Sequence, residues 1–377
     1  MLRPREEICG STARKLAAGA DGTGAAKALI GLDGFVDHII AVVDKRYADG
    51  RYDPVRTIAA MGDKIRAAAG ESSNYELVVT RSKLGGNGPI MADALAHLGF
   101  DVTYVGNLGF PEIHPVFRGF AGRASVISIA DPGVTDALEF EDGKIMLGKH
   151  ESLHQVNWDN LVARVGRDRL EGLLGGARLI GMVNWTMLSG MSVIWERLLD
   201  EVVHRFGPGP RTLFVDLADP EKRTSEDLRA ALGLLARFQE GVEVILGLNL
   251  KEAMQVAAVL NLPSHASPEA AIADQAAEIR AALGLGCVVI HPRRAAAAAT
   301  ADGVAHFAGP FIQQPKISTG AGDHFNAGFC LGRVLGLDLD ESLCAGVSTS
   351  GYYVRTAASP TRAALAEFAA KLPSPEG

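Results

Sequence analysis

The strongest constraint in this chain is a rhythm. Short runs of Val, Ile and Leu recur, and between them lie stretches long enough for helices. Strand candidates fall at 27–35, 76–80, 101–109, 124–130, 177–185, 211–219, 242–249 and 287–292, with a further run at 36–44. Helical stretches at 89–99, 192–207, 225–239 and 268–284 alternate with them, and His324 to Leu372 reads as almost wholly helical. Continuous apolar strands alternating with helices of this length belong to a parallel sheet covered on both faces. The spacing predicts an α/β fold with a mostly parallel central sheet flanked by helices, in one domain over 1–377.

One segment departs from the rhythm. "TDALEFEDGKIMLGKH" (135–150) alternates apolar and polar residues on both sides of Asp142-Gly143, a hairpin signature. With 36–44 and 76–84 it predicts a small antiparallel sheet apart from the main core. An inserted loop and helix, about 51–73, lies between these pieces. The alanine run 295–299 is too short to interpret.

Composition narrows the class. The 377 residues are 47% hydrophobic and 21% charged, enough apolar material for a large core. The net charge of -7 comes with acids and bases mixed along the chain, so no basic stripe awaits a nucleic acid. Cys9, Cys287, Cys330 and Cys344 are scattered, as buried small hydrophobes of a reducing compartment are. "MLRPREEICGS" lacks the apolar segment of a signal peptide, and no run of 18 apolar residues occurs. A soluble, cytoplasmic protein is expected.

Three stretches carry chemistry. In "STGAGDHFNAGF" (318–329), small residues let the backbone N–H groups of Ala321, Gly322 and Asp323 approach one spot, and the following helix adds its positive end. Asp323 there is either a helix N-cap or a carboxylate that takes a proton beside a phosphate. "SKLGGNGPIMADALAHLGF" (82–100) runs from a strand through a glycine turn into a helix. Gly85 and Gly86 permit close backbone approach to a ligand, or serve helix packing alone. In "LGLNLKEAM" (246–254), Asn249 and Glu252 share one helical face. They suit a water-coordinated Mg²⁺ or a capping box.

Taken in this order, the Gly-Gly turn, N-x-x-E and G-A-G-D resemble the ribokinase-like sugar kinases of the PfkB family, over about Leu29 to Phe368. The resemblance implies a Rossmann-like ribokinase fold with a small β-sheet lid, built from about 36–50, 75–84 and 134–150. By position it makes Asp323 the catalytic base, Gly320, Ala321 and Gly322 the anion hole, and Asn249 and Glu252 the organisers of Mg²⁺ and the nucleotide. It makes Asp37 a binder of sugar hydroxyls and Gly85 and Gly86 the sugar-loop glycines. Asn87 substitutes for an asparagine that the family often carries where Ile90 stands here. Asp33 and Asn184, at strand ends, are either further substrate contacts or plain turn residues.

The departures are specific. Ile317 stands where a potassium site needs a carboxylate, "GFPE" (109–112) replaces a usual acidic pair, and "VVIHPRRAAAAAT" (288–300) replaces the usual threonine and glycine of the nucleotide loop. Arg293-Arg294 in that loop either touch phosphates or are solvated. No direct protein ligand for a metal is expected, and no Walker-type loop is present.

The expectation is an ATP- and Mg²⁺-dependent kinase of a sugar alcohol group. A nucleoside or sugar-phosphate kinase stays open, and a phosphorylated acceptor would call on Arg81, Lys83 or Lys149. A non-catalytic sensor of nucleotide or sugar is the rival from another class; the altered nucleotide loop favours it and the intact Asp323 opposes it. Lid sheets have edges that pair, so a homodimer through the lid is expected.

Overall fold

The computed structural model describes residues 3–18, 25–207 and 209–376. Fourteen strands occur among them, in two sheets. The first eight are Lys27–Leu32 (β1), Phe35–Arg46 (β2), Tyr52–Pro54 (β3), Leu77–Gly85 (β4), Asp101–Gly106 (β5), Ser125–Ser128 (β6), Gly133–Phe140 (β7) and Gly143–Lys149 (β8). The rest are Leu179–Val183 (β9), Thr212–Asp216 (β10), Glu243–Leu248 (β11), Cys287–Ile290 (β12), Ala295–Thr300 (β13) and Gly303–Ala308 (β14).

The large sheet has the order β14-β13-β12-β11-β10-β9-β1-β5-β6. From β12 to β6 every pairing is parallel. Successive side chains of a strand point to opposite faces, and the core divides accordingly. Leu29, Leu213 and Val288 pack on one face with Trp185 and Trp195, while Ile30, Phe214 and Val289 pack on the other with Phe325 and Phe329. Each such fully buried side chain contributes about 1.5–3 kcal/mol.

The alanine run forms β13, which pairs antiparallel with β12 and β14. Ala296 to Ala299 are buried, and such small side chains let the helices Ile272–Leu283 and Leu339–Thr356 pack against the strand. Polyalanine has no strand preference of its own, so the hairpin partner and the helices decide its state.

The small sheet is built on β2, which pairs antiparallel with β3 and β4 and parallel with β7. The helix Ile58–Ala67 covers one face, burying Met61 with Ile40, Val42, Val55 and Leu138. The β7–β8 hairpin pairs Phe140 with Gly143, so it turns at Glu141-Asp142, one residue earlier than Asp142-Gly143. The turn residues are held by the distant segment 56–58: Asp142 Oδ1 accepts the N–H of Ile58 at 2.8 Å, and Glu141 N–H donates to Arg56 O at 2.8 Å.

Parallel register places the carboxyl ends of β1, β9, β10, β11 and β12 at one edge, and the residues that follow them meet there. These are Asp33, Asn184, Asp216 (the last of β10), Asn249 and His291. Strand order reverses on the two sides of β1, and open α/β sheets bind ligands at such a switch point.

Candidate active site

Two helices enter the site through glycine turns. The first, Asn87–His97, follows Gly86 at φ +96°, a conformation that glycine adopts at little cost. Its first amides are held by a protein carboxylate: Asp33 Oδ2 accepts from Asn87 N–H at 3.0 Å and Oδ1 from Gly88 N–H at 2.8 Å. Asn184, itself at φ +61°, donates its Nδ2 to the same Oδ2 at 2.8 Å. Burial pushes the Asp33 carboxyl up to about 6, against the pull of these three donors. A Cβ on Gly88 would lie 2.5 Å from Asp33 Oδ1, so the turn tolerates no side chain there.

The second helix, Ala321–Val334, follows Gly320 at φ +91° and has no side-chain cap. The Ala321 amide does not join those of its neighbours as the sequence led one to expect: Ala321 N–H donates to Ser318 O at 3.2 Å and closes the turn ahead of the helix. The N–H groups of Gly320 and Gly322 have no hydrogen-bond partner among the described residues. Asp323 is buried, and Asn87 Nδ2 donates to its Oδ1 at 3.0 Å, joining the two helix starts. Burial pushes its carboxyl up to about 8, opposed by Asn87 and reinforced by the charges of Asp33 and Glu252.

Asn249 and Glu252 form a complete capping box. Asn249 Oδ1 accepts Glu252 N–H at 3.0 Å, and Glu252 Oε2 accepts Asn249 N–H at 2.9 Å. Glu252 Oε1 also takes the N–H of Asp219 at 2.9 Å. Asp216, not singled out from sequence, lies beside it and accepts from Ala218 N–H and Asn326 Nδ2 at 2.9 Å each. Burial raises the Asp216 carboxyl, with the Glu252 and Asp323 charges adding to it. Its signal was a carboxylate ending the apolar run "LFVDL".

These groups open on a cleft of about 510 Å³, lined by Asp216, Asn249, Glu252, His291, Gly322 and Asp323 among others. His291 packs on Phe325 with ring centroids 4.6 Å apart, and burial pushes its imidazole down to about 4. Arg293 also lines the cleft, whereas Arg294 lies over the Phe311 ring at 3.7 Å.

On the lid side, Asp37 is buried and faces the sugar-loop turn: a Cβ on Gly85 would lie 2.5 Å from its Oδ1. Burial raises its carboxyl while Lys83, 4.0 Å away, opposes the shift. Lys149 pairs with Asp136 at 2.8 Å instead of facing the site. Lys144, which sequence reading passed over, reaches from the lid to donate to Thr319 Oγ1 at 3.0 Å. The site thus brings together Asp33, Asp37, Gly85, Gly86, Asn87, Asn184 and Asp323, with Asn249 and Glu252 across the cleft.

A Rossmann-like body, a small β lid and a buried carboxylate at a glycine-built helix start define a carbohydrate kinase of the ribokinase type. Solved structures share the fold. Ribokinase from Arabidopsis thaliana, complexed with ribose and ATP, gives a TM-score of 0.62 at 13% identity, over 92% of this chain and 99% of that one. Phosphofructokinase-2 from Escherichia coli gives 0.60 at 15% identity, over 92% and 99%. Sequence narrows the group: the prokaryotic ketohexokinase family profile matches residues 9–372, and the chain belongs to that family. A curated relative from Haloferax volcanii, named ketohexokinase, is 31% identical over 348 residues, covering 91% of this chain and 90% of its own length. No helix among the described residues is long and apolar enough to cross a membrane.

Proposed function

We propose that the chain transfers the γ-phosphoryl group of ATP to a hydroxymethyl group of a ketohexose, with Asp323 as general base. The observation that carries this is Asp323 itself: a buried carboxylate beside two unpartnered glycine amides at the start of a helix, facing the cleft. A carboxylate pushed up to about 8 has the affinity for a proton that a base at neutral pH needs. The acceptor hydroxyl lies between Asp323, Asp37 and the Gly85-Gly86 turn. Its proton passes to Asp323 as its oxygen attacks phosphorus, while the Gly320 and Gly322 amides face the phosphoryl oxygens. A general base contributes about 10²–10⁴ in rate, and positioning and electrostatics supply the remainder.

Among the described residues no three His, Cys, Asp or Glu side chains are grouped to hold a metal. The oxygens of Glu252 and Asp216 are already taken by protein donors. These acids fit Mg²⁺ through its water shell, and Mg²⁺ would neutralise the nucleotide phosphates there. Asn249, Glu252 and Asp216 are the residues that would hold it there.

A phosphorylated acceptor is the second reading, favoured by Arg81 and Lys83 on one face of β4 and by Lys144 nearby. ATP consumption against ketohexoses, aldoses, nucleosides and sugar phosphates separates the readings. Ketohexose turnover that Asp323→Asn abolishes supports the first; preference for a sugar phosphate replaces it with the second. Nucleotide binding with no turnover leaves the sensor. We also place a homodimer interface on the lid, whose edge strands expose Leu77, Val79, Met146 and Leu147. A monomer by gel filtration at micromolar concentration excludes it.

A further inference from the structure

The anion hole needs its amides aimed, and something must aim them. Thr319 C=O and Gly320 N–H belong to one peptide unit. That unit is trans, so its carbonyl and its N–H point in opposite directions. Whatever holds the Thr319 oxygen therefore sets the direction of the Gly320 amide.

Tyr353, on the helix Leu339–Thr356, donates its hydroxyl to Thr319 O at 3.0 Å. His324 stacks on the Tyr353 ring with centroids 3.6 Å apart and planes 14° apart. Its Nδ1 lies 2.7 Å from Gly320 O and its Nε2 2.9 Å from Ser359 Oγ. A carbonyl only accepts, so Nδ1 carries the proton and Nε2 accepts from the Ser359 hydroxyl. The next peptide unit, Gly320–Ala321, is fixed in turn, which agrees with Ala321 N–H facing Ser318 O at 3.2 Å.

We propose that Tyr353 and His324 are positioning residues that orient the Gly320 amide toward the transferring phosphoryl group. Neither touches the reacting atoms; both act through the backbone of residues 319–320. The assignment rests on the anion-hole reading of that turn. Both side chains keep the required form at neutral pH: burial pushes the Tyr353 phenol up to about 12 and the His324 imidazole down to about 4. At neutral pH the donor to Thr319 O is thus present, and His324 is a neutral donor and acceptor at once.

The test is steady-state kinetics on the full chain with the acceptor that the wild type turns over. Tyr353→Phe keeps the stacked ring and removes one hydroxyl. One hydrogen bond of ordinary net strength converts to about a tenfold fall in kcat, with KM for the acceptor within about twofold and little change in Tm. His324→Asn, whose amide nitrogen takes the place of Nδ1, should retain several-fold more kcat than His324→Leu. A wild-type kcat in Tyr353→Phe overturns the proposal. So does equal kcat in folded His324→Asn and His324→Leu, or a loss appearing only in KM. Asp323→Asn run alongside keeps the two readings apart. If it abolishes turnover while Tyr353→Phe does nothing, the site stands and the brace fails; if it leaves turnover intact, the site itself is misread.

Discussion

The two helix starts that meet at the site are built from the same kind of sequence and end in opposite states. "GGNG" and "GAGD" each put a positive-φ glycine before a helix, at Gly86 and Gly320. At the first, the protein supplies its own anion: Asp33 takes the amides of Asn87 and Gly88. At the second, the amides of Gly320 and Gly322 are left without a partner among the described residues, and the acid on the same helix turn, Asp323, is turned to Asn87. Exposed first-turn amides at the positive end of a helix attract anions. A helix start capped from within is scaffold; one left uncapped beside a cleft is a place for a ligand's charge.

The largest effect should come from neutralising the acid at the uncapped start. Asp323→Asn is nearly isosteric, so it should fold, keep nucleotide binding and lose about 10²–10⁴ in kcat. Turnover within tenfold of wild type would remove Asp323 from the base role and with it the functional side of the contrast.

Asp33 should show the converse. Asp33→Asn replaces one of two carboxylate oxygens by a donor facing the amides of Asn87 and Gly88 or Asn184 Nδ2. A buried unsatisfied polar group costs about 1–3 kcal/mol. The prediction is a lower Tm as the leading effect, read by thermal melts. A stable Asp33→Asn variant with normal Tm and no activity would instead make Asp33 a substrate contact.

Both glycine turns were legible in the sequence but the contrast between them was not, and the unreadable part has a common cause. Glycines announce themselves by local chemistry, so both turns and the rhythm of the parallel sheet could be read directly, whereas the strand-end acid Asp216 was passed over. Asn249 and Glu252 were legible as a pair, and the structure shows the capping box; their role toward a nucleotide is a proposal. What sequence could not supply was partnership at long range. Asp33 and Gly88 are 55 positions apart, and Tyr353 lies 34 positions from Thr319. Lys144 and Thr319 are 175 apart. The alanine strand went unread for the related reason that its state is set by neighbours and not by its own preference.

pH sharpens the comparison further, because activity and stability should move oppositely. The base must be ionised, so kcat/KM should rise with pH and level off near the Asp323 value of about 8. Stability has the other sign. The folded carboxyl binds its proton more tightly than the ordinary 3.8, so between 3.8 and about 8 the native state holds more protons than the unfolded one. The ligand-free fold therefore loses stability as pH rises through that window. Asp33, at about 6, adds the same sign over a shorter window. Asp323→Asn removes the larger contribution, so its advantage in Tm over wild type should widen from pH 5 to pH 8. A gap that stays constant would mean Asp323 ionises normally in the fold.

The smallest effect distinguishes the glycines of the two turns. At Gly88 a methyl group would meet Asp33 Oδ1 at 2.5 Å and the Tyr104 hydroxyl, both fixed. Tyr104 is itself tied to Asp33 O, so neither can retreat. Gly88→Ala should cost about 1–3 kcal/mol, as overpacking does. At Gly322 the nearest atom to a new methyl group is His291 Cε1 at 3.4 Å, and the residue lies in the first turn of a helix without a positive φ. Alanine is the better helix former by up to about 1 kcal/mol, so Gly322→Ala should melt at or slightly above the wild-type temperature. The methyl group instead crowds the surface that the phosphate approaches, and the expected cost is a rise of a few-fold in KM for ATP. If both alanine variants lower Tm alike and leave KM for ATP unchanged, the uncapped start is packed scaffold like its counterpart.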